Sequence, residues 1–264
     1  MPTRENPPLI IAHRGDSAFA PENTLAAFRK AVEAGADGIE FDVRISKDGV
    51  PVVFHDSTLK RISRREGRTS SFTAEELASV DVGAWFNGKY PARADEKFYG
   101  EGVPTLEKLL SFLEGYDGRL YLEMKGSRAE VSALTERVAE IIRRSEFLPQ
   151  MIVKSFKLEA VAKIKTLLPE VKTAALLAPK ILTLLKKQSR IIECAREHSV
   201  DELSLHYSLA TKKLVRKASA EGFRTTIWTA NHTMWVRRAA EIGIYAVITN
   251  NPARMLARRE RLKL

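Results

Sequence analysis

The stretch LIIAHRGDSAFAPENTLAAFRKAVEAGADGIEFDV, residues 9–43, decides the fold. It opens on a short apolar run that ends in His13, Arg14 and Gly15. A loop with Pro21 and Glu22 follows, and Asn23 or Thr24 is placed to cap a helix. Apolar residues then recur every three or four positions through Val32, as a helix with one buried face requires. Gly35 supplies a stop and GIEFDV a second strand. Strand, crossover helix and strand make the unit of a parallel sheet.

The unit recurs along nearly the whole chain. Further strands read as RLYLEM, QMIVKS, KTAALL, ELSLHY, RTTIWT and YAVITN. Helical stretches such as TLEKLLSFLEG, AEVSALTERVAEIIRRSE and KILTLLKKQSRIIECAREH lie between them. Gly115, Gly222 and Gly243 close helices as Gly35 does. About eight such units predict a (β/α)8 TIM barrel. An open doubly wound sheet usually has fewer strands and often a glycine-rich phosphate turn, and no GxGxxG occurs here. One segment departs from the rhythm. KDG after EFDVRIS marks a turn, and VPVVFHD reads as a hairpin return of the second strand. Residues 57–104 then read as a small insertion beside the barrel mouth, within a single domain spanning residues 1–264.

Bulk composition narrows the function. The 264 residues are 44% apolar, enough for one large core, and 29% charged, which gives a well-solvated surface. The one cysteine, Cys194, excludes an internal disulfide framework and suits a reducing cytoplasm. No apolar run approaches the ~20 residues of a membrane helix, so no stable membrane insertion is expected. The net charge of +10, from 43 Lys+Arg against 33 Asp+Glu, draws the chain toward anions. Much of the excess lies in solvated helical stretches such as KKLVRKASAEG and RMLARRERLKL. No basic motif with interleaved aromatics appears, so no nucleic-acid partner is expected. Nothing in the sequence sets the oligomeric state.

In a barrel, chemistry collects at the carboxyl ends of the strands. Those ends carry His13 and Arg14, then Glu40 and Asp42, then Glu123 and Lys125. Lys154 and Ser155, His206 and Trp228 end later strands, and His55 ends the hairpin return. Glu40 and Asp42, two residues apart, share one face of their strand. Their mutual repulsion is relieved by something positive. Either Arg14, Arg44 or Lys125 pairs with them, or they hold a hard divalent cation with Glu123 as a third oxygen ligand. Arg14 and Lys125 suit the oxygens of a phosphodiester. His13 and His55 suit proton delivery and removal. Glu22 reads both as part of the helix start and as facing the pocket, and Trp228 as packing or an apolar wall for substrate.

Taken in order, HRG, PENT, GIEFDVRISKDGVPVVFHD, YLEMK, WTAN and ITNNP resemble the motifs of the glycerophosphodiester phosphodiesterase family. The likeness runs from about residue 9 to about residue 255 and includes GVPTLEKLL as the return from the insertion. It implies a (β/α)8 barrel that hydrolyses a small-molecule glycerophosphodiester to glycerol 3-phosphate and an alcohol, with a divalent metal, usually magnesium or calcium. Carried over by motif, His13 and His55 are the acid–base pair, and Glu40, Asp42 and Glu123 hold the metal. Arg14 and Lys125 contact the phosphate, and Glu22 supports the site. Asn250 stands where many relatives carry Asp, at what reads as a minor wall position. Attack by the neighbouring glycerol hydroxyl, giving a cyclic intermediate, and direct attack by water both fit. Two other functions fit less fully: lysophospholipase D-like cleavage of single-chain lipids, suited by the insertion's aromatics, and a catalytically idle basic binding protein.

Overall fold

A computed structural model describes residues 7–179 and 188–263. Nine strands form one sheet: β1 Leu9–His13, β2 Gly38–Ile45, β3 Pro51–Val53, β4 Arg119–Met124, β5 Met151–Ser155, β6 Lys172–Leu177, β7 Glu202–His206, β8 Arg224–Trp228 and β9 Ala246–Thr249. Their order is β1-β9-β8-β7-β6-β5-β4-β2-β3, and β1 also pairs with β2. The eight strands other than β3 therefore close into a parallel barrel. β3 runs antiparallel to β2, with Val43 opposite Val53, as the KDG turn requires. Gly49 takes φ +78° there.

Helices cover the outside. The first, Leu25–Glu33, is capped by Thr24, whose hydroxyl accepts from the Ala27 amide. Gly35, Gly115, Gly222 and Gly243 all adopt left-handed φ at the ends of helical stretches. The stretch read as KILTLLKKQSRIIECAREH is described from Gln188 to Glu197; its first part, residues 180–187, lies outside the described residues. Outward strand residues such as Phe41, Val43, Leu120, Leu122 and Val153 pack on helices in the largest core. Inward residues, Ile11, Tyr121, Ile152, Ala174, Ala246 and Ile248, fill the barrel. Inside it, the Tyr121 hydroxyl and the Thr226 hydroxyl each reach Glu202 Oε2 at 3.1 Å. Burial pushes the Glu202 carboxyl up, which makes it a layer of filling below the mouth.

Residues 57–104 form short helical turns around Val52, Phe54, Leu59, Ile62, Leu77, Val80, Val82 and Val103. Phe86 and Phe98 pack on Ala20 and Ala27 of the first strand–helix unit, and Phe86 meets Phe98 edge to face at 5.6 Å. Of the aromatics of this segment read as suiting a lipid, these two are taken up by packing. Phe86 and Phe98 are buried because they fix the segment to the barrel, and among its large apolar side chains Tyr99 stands exposed.

Candidate active site

The loop after β1 is built around two backbone conformations uncommon for ordinary residues. Arg14 has φ +56° and Asn23 φ +59°, a strained region that persists where surrounding bonds over-determine it. The Arg14 amide donates to the Glu40 carbonyl at 2.7 Å and lies 3.2 Å from Glu40 Oε2. The Asn23 side chain donates to Asp42 Oδ2 at 2.9 Å and accepts from the Asp42 amide at 3.3 Å. Asn23 thus ties the loop to β2, while Thr24 does the capping. Gly15 has φ +78°, and a Cβ there would stand 2.5 Å from the Ala27 carbonyl carbon. That glycine lets the loop turn back onto its own helix.

Three carboxylates converge at the mouth. Glu40 and Asp42 come from one face of β2, and Glu123 sits beside Asp42 in the register of β4. All three are buried, and each offers an oxygen within 4.8 Å of the others. Cations surround them. Arg14 Nε lies 2.9 Å from Asp42 Oδ2. Lys125 Nζ lies 3.2 Å from Asp42 Oδ1 and also contacts Glu123. Lys154 Nζ lies 2.9 Å from Glu40 Oε1. Burial pushes Glu40 upward, but Lys154 and His13 outweigh it and hold it below the ordinary range. Burial likewise opposes ionisation of Asp42, and Arg14 and Lys125 hold it well below that range. Glu123 goes the other way: burial raises it beyond what Lys125 recovers, and Asp42 adds repulsion.

The two histidines flank this group. His13 Nδ1 meets Asn250 Oδ1 at 2.7 Å, and its Nε2 lies 3.8 Å from Glu40 Oε2. Burial lowers the His13 imidazole below its ordinary value against the pull of Glu40. His55 Nδ1 meets Asp56 Oδ1 at 2.6 Å, and its carbonyl accepts from Arg44 Nε at 2.7 Å. Oxygen acceptors at both Nδ1 atoms assign the ring proton there and leave Nε2 of each neutral ring with its lone pair. Glu22 receives Arg14 Nη1 at 2.7 Å and Arg61 Nη1 at 3.0 Å, and Arg61 also contacts Asp56. An ionic chain therefore links the β1 loop to the segment bearing His55.

The structure brings together His13, Arg14, Glu22, Glu40, Asp42, His55, Glu123 and Lys125. Trp228 stands apart, on β8 across the mouth. Its Nε1 donates to the Ser204 carbonyl at 3.0 Å, and its ring meets Phe156 and His206 edge to face. Asn250 requires a correction: it is the direct partner of His13, because closing the barrel sets β9 beside β1. Three further residues belong to the site. Asp56 ends the hairpin return with His55, and no role for it follows from the sequence; Asn23 lies in PENT but reads there as a cap, while its side chain instead holds Asp42; for Arg61 nothing in the local pattern sets it apart.

Glu40 Oε1, Asp42 Oδ1 and Glu123 Oε1 are buried, and the partners facing them are ammonium groups, Lys154 on the first and Lys125 on the other two. Three converging, buried carboxylate oxygens from two neighbouring strands suit a hard divalent cation.

A parallel barrel with buried acids, ringing cations and paired imidazoles at its carboxyl end defines a class: a barrel enzyme for an anionic substrate. Residues 13–254 match the glycerophosphoryl diester phosphodiesterase family. A glycerophosphodiester phosphodiesterase of Caldanaerobacter subterraneus subsp. tengcongensis is 32% identical over 250 residues, covering 94% of this chain and 96% of that protein. One from Bacillus subtilis is 29% identical, covering 92% and 84%. Among solved structures, a phosphodiesterase of Oleispira antarctica in complex with the product sn-glycerol-3-phosphate superposes with a TM-score of 0.85. It is 26% identical and covers 96% of this chain and 97% of that one. The chain belongs to the glycerophosphoryl diester phosphodiesterase family, and with it to the enzymes that hydrolyse glycerophosphodiesters.

Proposed function

We propose that this mouth releases glycerol 3-phosphate and an alcohol from a glycerophosphodiester by metal-assisted general acid–base cleavage, with magnesium or calcium held by Glu40, Asp42 and Glu123. The observation that carries the reading is the convergence of these three oxygens between two imidazoles tied at Nδ1. A hard dication there supplies Lewis-acid neutralisation of phosphoryl charge. Arg14 and Lys125 add fixed positive charge for the phosphate oxygens. His13 and His55 present Nε2, one to take the proton of the attacking water, or of a glycerol hydroxyl whose cyclic phosphate is then opened by water, and the other, once protonated, to give one to the leaving alcohol. Asn250 and Asp56 hold the two rings in the required tautomer. Glu22 aligns Arg14 rather than meeting substrate, since its oxygens are taken by Arg14 and Arg61. Trp228 forms the far wall for the alcohol arm. We place this chemistry in one domain, with residues 57–104 as its insertion, and in the cytoplasm, in keeping with the single cysteine.

One observation favours a second substrate class. Phe156, at 43% exposure, and Tyr207, at 38%, are uncovered apolar side chains on loops that follow β5 and β7. They give a single-chain lysophospholipid a surface for its chain. Turnover of glycerophosphocholine, glycerophosphoethanolamine and lysophosphatidylcholine, each with Mg²⁺, Ca²⁺ or chelator, tests both readings. Release of glycerol 3-phosphate from the small diesters, lost in chelator, is expected. Turnover confined to lysophosphatidylcholine would transfer the assignment to the second class, and undiminished rates in chelator would reject the metal.

A further inference from the structure

Lys154 is used by nothing derived so far, yet it is among the most deeply buried side chains of the molecule, at 1% exposure. It projects into the barrel from β5, beside Glu123 in the strand register. Its Nζ lies 2.9 Å from Glu40 Oε1, one of the three converging carboxylate oxygens. Glu40 Oε2 faces the other way, toward the Arg14 amide and His13. The ammonium also acts electrostatically on Glu123. A buried lysine is costly unless it is paired, and Lys154 is paired with Glu40.

We propose that Lys154 is a positioning residue that serves as an internal counter-charge: it compensates the acids of the mouth from below, weakens their hold on a divalent cation, and leaves the loaded site positive enough to bind the phosphate group of substrate or product. The inference rests on the reading that Glu40, Asp42 and Glu123 hold a dication. Charge arithmetic gives the reason. Lys154 contributes one fixed positive charge beside the acids whatever the rest of the mouth carries, so without it metal is attracted more strongly and phosphate less. A side chain that only propped Glu40 in place would, on removal, weaken both.

Calorimetric titration of the intact, metal-stripped protein with Mg²⁺ and Ca²⁺, and then of the loaded protein with glycerol 3-phosphate, separates the cases. Lys154→Met and Lys154→Gln are expected to bind metal about tenfold more tightly and glycerol 3-phosphate more weakly. Lys154→Arg, which keeps the charge, should bind metal like the parent. The melting-temperature gain on adding metal should also be larger in the neutral variants, because their stripped form holds uncompensated acids. Unchanged or weaker metal binding in either neutral variant overturns the proposal. Absence of metal binding in the parent protein, by contrast, overturns the underlying site. If only Lys154→Gln folds, its titration alone decides.

Discussion

His13 and His55 are fixed the same way and differ in what fixes them: a neutral amide behind one ring, a carboxylate behind the other. Replacing either with alanine should lower kcat by about 10²-fold or more, measured as release of glycerol 3-phosphate; a parent-like rate in both would remove them from the chemistry. Asn250→Leu should lower kcat about tenfold with little change in KM, because it frees the His13 ring rather than a substrate contact. An unchanged kcat would return Asn250 to the wall. Asp16, in the same loop, is buried. Burial pushes its carboxyl up to about 6. Between the ordinary value of 3.8 and about 6 the folded protein keeps a proton that the unfolded chain has lost. Stability therefore falls as pH rises through that window and stays lower above it. Asp16→Asn, which keeps an amide oxygen for the backbone donors, should raise the melting temperature at pH 7.5 by an amount equivalent to up to about 3 kcal/mol and leave it unchanged near pH 4. No gain at pH 7.5 would contradict this. Site residues on strand ends were legible because alternation and motif fix where they point. Asn250 was not, since its contact with His13 spans 237 residues and exists only once β9 closes on β1.

At the scale of elements, the strands and the hairpin turn were readable from periodicity and from glycine placement. Glu40 and Asp42 share a face because the strand alternates, and β3 returns because KDG permits a left-handed residue at Gly49. The interior of residues 57–104 was not readable. Short turns carry no sustained period, so Phe86 and Phe98 gave no sign of whether they faced a ligand or each other. Gly15 is the position where local chain geometry and the site meet. Gly15→Ala places a methyl against the Ala27 carbonyl at a left-handed φ, and should cost roughly 2 kcal/mol or more in urea unfolding. A parent-like midpoint would show that the loop can shift without loss.

For the whole molecule, the mouth is an island of opposed charges above a barrel filled by apolar and hydroxyl side chains and the Glu202 carboxyl. The acids do not depend on a dication to stay folded, because Arg14, Lys125 and Lys154 already face them. Chelation should therefore abolish turnover while leaving far-UV circular dichroism intact; loss of helical signal in chelator would mean that metal also builds the fold. The net charge of +10 and the mouth's own cations both favour an anionic substrate, and the described residues contain no helix long and apolar enough to cross a membrane. What stands or falls with the whole account is the cation position. Anomalous diffraction from crystals soaked in Mn²⁺ as a stand-in for Mg²⁺ measures it most directly. A single strong peak ringed by Glu40, Asp42 and Glu123, absent in Glu123→Gln, is expected; no density among these carboxylates at saturating Mn²⁺, or a peak coordinated elsewhere in the barrel, would rule the three-carboxylate site out.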